Sequence, residues 1–143
     1  MRIPLLKSVM TPFPFWIDAD AALLEARRMM QEHDVRHLPV KKDGELHSII
    51  TDRDVKFVLD PTLGLPPREA MRVIDVCVYT AFSVDIETRL EVVLESMAER
   101  RIGSALITRE GQLAGILTYV DACRSYAEVL RHWRGEHDDP RVA

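Results

Sequence analysis

The chain has 143 residues, 47% of them apolar and 29% charged, the balance of a folded globular protein rather than of a disordered or fibrous one. A net charge of −4 leaves no general basic field and argues against phosphate-backbone binding to nucleic acid, while two cysteines, Cys77 and Cys123, cannot build a disulfide framework. No stretch approaches the roughly 18 apolar residues of a membrane helix, and Met1-Arg2-Ile3-Pro4 opens no signal peptide, so a cytoplasmic protein without membrane contact is expected.

In chain order, a short apolar strand at Phe15 to Ile17 meets Asp18 and Asp20, which suit the N-cap of a helix. Leu23, Ala26 and Met30 then recur at helical spacing and give that helix one buried face. Two short strands follow, His37 to Lys41 and Leu46 to Ile50, joined through Asp43-Gly44, where glycine supplies the positive φ of a tight hairpin turn. Thr51-x-x-Asp54 opens a last helix carried by Val55, Val58 and Leu59. Asp60-Pro61 and Leu65-Pro66-Pro67 break the helical pattern, which predicts a connector with one helical turn around Arg68 to Met71.

Beyond it the same plan returns. Laying Thr51 over Thr118 places Phe15 on Phe82, Asp18 on Asp85, Leu23 on Leu90, Met30 on Met97, Gly44 on Gly111 and Ile49 on Ile116, all at one shift of 67 residues and without a gap. Such an ungapped register marks an internal repeat. The second copy predicts a strand at Phe82 to Val84 and a helix with Leu90, Val93, Leu94 and Met97. A hairpin follows, of Ala105 to Thr108 and Leu113 to Leu117 around Glu110-Gly111, and then a last helix with Ala122, Tyr126, Val129, Leu130 and Trp133. The fold class is therefore α/β, with two β-α-β-β-α repeats: residues 1–60, a connector at 61–75, residues 76–134, and a polar flexible tail at 135–143.

This repeat, with Met10-Thr11-Pro12, Arg36-His37-Leu38-Pro39-Val40 and Ile49-Ile50-Thr51-Asp52-Arg53-Asp54 in order and spacing, resembles the CBS domain, named for cystathionine β-synthase. The resemblance covers nearly the whole chain. It implies a CBS-domain pair, or Bateman module, whose halves pack with pseudo-twofold symmetry through their sheets. It also implies two clefts between the repeats for an adenosine-containing ligand such as AMP, ADP or ATP. Each cleft would mix the copies: Thr51, Arg53 and Asp54 with Val78, Ile102, Gly103 and Ser104, and Ile116, Thr118 and Asp121 with Thr11, Val35, Arg36 and His37. Asp54 and Asp121 would hold ribose, Thr51 and Thr118 phosphate or ribose oxygens. Val35, Ile102, Ile49 and Ile116 would flank the base.

Each of these residues has a plainer reading. Thr-x-x-Asp is also a capping box, in which the threonine oxygen accepts a backbone N–H three residues on and the acid reaches back. The apolar residues suit any core, and Arg36, Arg53 and His37, though apt for phosphate, suit a solvated surface too. Ser48 stands where the second copy has Gly115, and a side chain there is expected to narrow the site of Thr51. The scattered histidines show no metal-ligand spacing, so no metal and no cofactor are expected, the nucleotide being a regulatory ligand.

With no nucleophile elbow, glycine-rich phosphate loop or Ser/His/Asp arrangement, the sequence reads as a non-enzymatic sensor that signals by conformational change to a downstream protein. The alternative is an interaction or scaffold module with empty clefts or another ligand, such as S-adenosylmethionine, nucleic acid or a divalent cation. The apolar stripe of Tyr126, Val129, Leu130 and Trp133 on the last helix points to a homodimer.

Overall fold

The structure is a computed structural model that describes residues 2–65, 68–77 and 80–137. It contains two compact units, one running from Phe13 to Phe82 and the other uniting the residues up to Pro12 with those from Ser83 onwards. These boundaries do not follow the repeat, because the chain's first residues lie with the second copy.

The first unit holds β2 (Ile17–Asp18), α2 (Leu23–His33), β3 (His37–Lys42), β4 (Glu45–Thr51) and α3 (Asp52–Val58). The second holds α1 (Leu6–Val9) and β1 (Thr11–Pro12), then β5 (Ser83–Asp85), α4 (Leu90–Arg100), β6 (Ser104–Arg109), β7 (Gln112–Thr118) and α5 (Tyr119–His137). Sheet order is β2-β3-β4 in one and β1-β7-β6-β5 in the other. The hairpins β3–β4 and β6–β7 are antiparallel, and β2 and β5 pair parallel to β3 and β6. Each copy is thus the β-α-β-β-α plan read from the sequence.

Its local devices recur at equivalent positions. Both hairpin turns place two residues at positive φ, Asp43-Gly44 and Glu110-Gly111, as a two-residue loop matched to strand twist requires. Helices α2 and α4 both end on a left-handed residue, Asp34 and Arg101. In each, the next N–H, of Val35 or Ile102, returns to the carbonyl of Met30 or Met97. Leu23, Ala26 and Met30 in α2, and Leu90, Val93 and Met97 in α4, are the buried faces that the periodicity predicts.

One difference between the copies follows from a single residue. Strand β5 pairs with β6 over three residues starting at Ser83 opposite Leu106, whereas β2 pairs with β3 only from Ile17 opposite Val40. Pro39 occupies the place of Leu106 and has no N–H to give to a neighbouring strand.

Three sequence expectations are corrected. Asp18 and Asp85 do not cap helices; each carboxylate accepts the N–H two residues on, of Asp20 or Glu87, and shapes the turn before the helix, while Ala22 and Arg89 hold the cap positions. The connector has its helical turn at Arg68–Ala70, with two more at Pro61–Leu63 and Val73–Asp75. Its end docks on the first unit, through the hydrogen bonds Leu23 N to Met71 O, Val73 N to Ala21 O and Ile74 N to Ala19 O, and Val73 is fully buried. Helix α5 runs through Gly135 to His137, into what the composition suggests is tail.

The departure at Ser48 is answered by packing within its own unit. Its side chain is buried, with its hydroxyl against the Cys77 thiol and 3.2 Å from His47 Nδ1, so it is packed into the unit. In the other copy a Cβ on Gly115 would stand 2.5 Å from Met10 Sδ and 3.0 Å from the Thr11 carbonyl. Cys77 and Met10 are equivalent residues, so a small residue above serine in one unit answers a large residue above glycine in the other. Gly115→Ser should therefore destabilise by about 1–3 kcal/mol through overpacking, and adding Met10→Cys should recover a good part of it. Urea midpoints of the single and double variants measure both effects.

Candidate functional site

Each hairpin delivers its Thr-x-x-Asp to the point where a strand becomes a helix. Thr51 ends β4 opposite His37, and Thr118 ends β7 opposite Ser104. The next residue's N–H ties the junction to the start of the partner strand, Asp52 N to Arg36 O at 2.8 Å and Tyr119 N to Gly103 O at 3.2 Å. Residues 36–37 and 103–104 are thereby held beside the helix N-terminus of their own copy.

Both capping boxes are formed. Thr51 Oγ1 accepts Asp54 N–H, and Asp54 Oδ2 accepts the Thr51 N–H at 3.1 Å and its hydroxyl at 2.7 Å. Thr118 and Asp121 repeat this, Oδ2 taking the Thr118 N–H at 2.9 Å and the hydroxyl at 3.1 Å. The acids differ in setting. Asp54 is exposed, whereas Asp121 is 8% exposed and also accepts the Thr11 hydroxyl on Oδ1 at 3.3 Å, with Arg124 3.9 Å away.

The remaining sequence-derived residues divide between the units. Val35, Arg36, His37, Ile49, Thr51, Arg53 and Asp54 belong to the first; Thr11, Ile102, Gly103, Ser104, Ile116, Thr118 and Asp121 belong to the second. Val78 lies outside the described residues. Arg36 and Arg53 are exposed, Val35 and Ile49 half-buried, and Ser104 and Ile116 buried. Thr11 reaches Asp121 because β1 pairs with β7, Thr11 opposite Ile116.

Around Asp54 the titratable groups are coupled. Burial pushes His37 below its ordinary value, the Arg36 charge adds to this, and the Asp54 and Asp52 carboxylates oppose it. Burial raises Cys77, the Ser48 hydroxyl opposes this, and the Asp54 charge adds to it, so the thiol stays protonated near neutrality. Among the described residues no group of three or more His, Cys, Asp or Glu side chains is placed to hold a metal, and no helix is long and apolar enough to cross a membrane.

The aromatic run before β2 is partly accounted for by contacts outside these junctions. Phe15 stacks on His33 at 3.7 Å and Lys41 sits over Trp16 at 4.4 Å, while Phe13 is 90% exposed.

The CBS domain family matches the sequence twice, over residues 6–60 and 73–128. The chain belongs to the CBS domain family. Pairs of this kind generally serve as regulatory modules. Inosine-5′-monophosphate dehydrogenase of Staphylococcus aureus is 23% identical over 112 residues, 76% of this chain but 21% of the enzyme, so the chain spans about a fifth of that relative. Among solved structures, the CBS domain pair of protein MJ0100 in complex with 5′-methylthioadenosine and S-adenosyl-L-methionine superposes with a TM-score of 0.77 at 19% identity, covering 89% of this chain and 98% of that one. CBSX2 in complex with AMP gives 0.74 at 21% identity, covering 87% and 97%. Both likenesses establish the shared fold.

The His37 shift has a stability consequence. Its folded value lies below the ordinary 6.5, so the unfolded chain binds its proton more readily. The stability contributed by neutral His37 is full above pH 6.5 and is lost as pH falls towards the folded value. Urea midpoints should drop between pH 7.5 and 5.5 in the wild type and drop less in His37→Gln.

Proposed function

We propose that the chain is a non-catalytic regulatory module that binds an adenosine-containing ligand at its Thr-x-x-Asp junctions and signals by a shift in conformation. The observation that carries this reading is the twofold occurrence of one geometry: a carboxylate fixed at a helix N-terminus, beside backbone groups of the adjoining strand. A carboxylate can accept both hydroxyls of a ribose, and the N-terminal N–H groups and dipole of the helix favour an anionic group. Capping and binding are compatible uses, because Asp54 Oδ2 serves the cap while its other oxygen accepts no hydrogen bond among the described residues.

The bound molecules named for the two related structures, AMP, 5′-methylthioadenosine and S-adenosylmethionine, differ beyond the 5′ position and share adenine on a ribose with a free cis-diol. That shared part is what the acids suit. Arg36 and Arg53, both exposed, would supply charge for a phosphate and favour AMP, ADP or ATP over the uncharged thioether. Ligand binding would favour one arrangement of the module over another in proportion to its difference in affinity for the two.

Calorimetry with AMP, ADP, ATP, 5′-methylthioadenosine and S-adenosylmethionine tests this directly. At least one should bind, Asp54→Ala and Asp121→Ala should each remove the binding at its own junction while costing only about 1 kcal/mol of capping, and the 2′-deoxy form of the bound nucleotide should bind at least tenfold more weakly. A folded protein that takes up none of the five would refute the reading.

Self-association belongs to the same proposal. Tyr126 and Leu130 of α5 are 65% and 44% exposed, an apolar stripe that twofold pairing with a second copy would cover. Light scattering should give a dimer mass at micromolar concentration, and Tyr126→Glu with Leu130→Glu should reduce it to the monomer. A monomeric wild type at that concentration would remove the dimer.

A further inference from the structure

The two junction acids are presented differently, and the difference lies in one hydroxyl. Asp121 Oδ2 already receives an N–H and an O–H from Thr118, at 2.9 Å and 3.1 Å. Oδ1 is the oxygen left for a ligand; it receives the Thr11 hydroxyl at 3.3 Å, which also lies 3.5 Å from Oδ2, and it faces Arg124 Nη1 at 3.9 Å. At Asp54 the corresponding oxygen accepts no hydrogen bond among the described residues, and the side chain is exposed.

Thr11 sits on a sparsely paired edge strand, anchored upstream by the buried Leu6 of α1. Strand β1 is two residues long, paired with β7 only through Thr11 opposite Ile116 and Pro12 opposite Gly115, and Pro12 has no N–H to add. Met10 closes over Gly115 beside it, and Met10 N–H returns to Leu6 at the end of the four-residue α1. A short edge strand of this kind lies at the low-stability end of a domain and opens before its core.

We infer that Thr11 is a built-in competitor for Asp121: a ligand diol gains Oδ1 by displacing the Thr11 hydroxyl, and the displacement loosens β1 from β7. The segment before Phe13 then changes its attachment with occupancy of the Asp121 site, whereas the Asp54 site fills without such a step. The long Thr11 bond is suited to exchange, since a hydrogen bond at 3.3 Å is weaker than one a ligand hydroxyl could form at 2.7 Å. This inference rests on the adenosine-binding reading and names the regulation of one of its two sites.

The test uses the full chain, AMP as the probe, and Thr11→Val, which keeps the shape and removes the hydroxyl, beside Thr11→Ser, which keeps the hydroxyl. Asp121→Asn identifies the component of binding that depends on this acid. Thr11→Val should tighten that component by about five- to tenfold, as expected for losing a competing bond to a charged group, and Thr11→Ser should match the wild type. Saturating the wild type with AMP should speed amide hydrogen exchange at residues 10–11. If AMP binds the wild type but Thr11→Val binds it equally or less well, or exchange at residues 10–11 does not change, the competitor role is overturned while nucleotide binding stands. If AMP binds none of the forms, the adenosine reading fails for this nucleotide and the inference fails with it.

Discussion

Both units of this chain depend on how a strand is turned into a helix, at Thr51 in one and Thr118 in the other. The last strand residue must stop pairing, the first helical N–H groups lose their partners, and a threonine with an aspartate three residues on meets both demands by reciprocal hydrogen bonds. The same bonds hold a carboxylate at a fixed height above the sheet edge, where the backbone of residues 36–37 or 103–104 is held close by one further hydrogen bond. A carboxylate placed this way is pre-organised by the fold, so under the proposed function little ordering free energy would be lost on binding. Structural and functional readings of Thr-x-x-Asp are therefore two aspects of one geometry.

The periodic parts of the fold were open to reading from sequence because they rest on side-chain patterns. Leu23, Ala26 and Met30 face one way because helices repeat every 3.6 residues, and Asp43-Gly44 turns because glycine tolerates positive φ. What escaped was carried by the backbone or by very short elements. A two-residue strand such as β1 has no periodicity to detect, so nothing in Thr11-Pro12 announces that it pairs with Ile116 and Gly115. Docking of the connector through the N–H groups of Leu23, Val73 and Ile74 uses atoms that every residue but proline possesses, while the side chains that accompany it, such as Met71, Val73 and Ile74, follow no regular period. Asp18 suits a helix cap by sequence yet shapes the preceding turn, as its repeat partner Asp85 does, because an acid just before an apolar helix suits both places.

The candidate site was legible in the same proportion. Threonine and aspartate at fixed spacing, twice, marked the junctions, but not that Asp121 would be buried and Asp54 exposed. Nor does the spacing show that Asp121 receives the hydroxyl of Thr11, more than a hundred residues away along the chain. Nor could the sequence show that His37 faces Thr51 within its own hairpin, where the strand register sets it and where the Asp54 charge reaches it.

The departure at Ser48 shows how far a repeat can diverge while keeping its plan. Considered alone, a serine in place of glycine suggests an obstruction. Beside its neighbour it is one half of a compensated pair: Ser48 under Cys77 fills the space that Gly115 under Met10 fills in the other copy. Packing density near that of a crystal forbids changing one member without the other, so the two units have separately settled the same volume. The consequence reaches the chemistry, because a thiol and a hydroxyl lie near Asp54 where the other unit has a thioether and a bare glycine. Two junctions with one backbone plan thus carry different surroundings: Asp54 is exposed, whereas Asp121 is buried and receives the Thr11 hydroxyl. A pair of binding sites built on them has no physical reason to share one affinity.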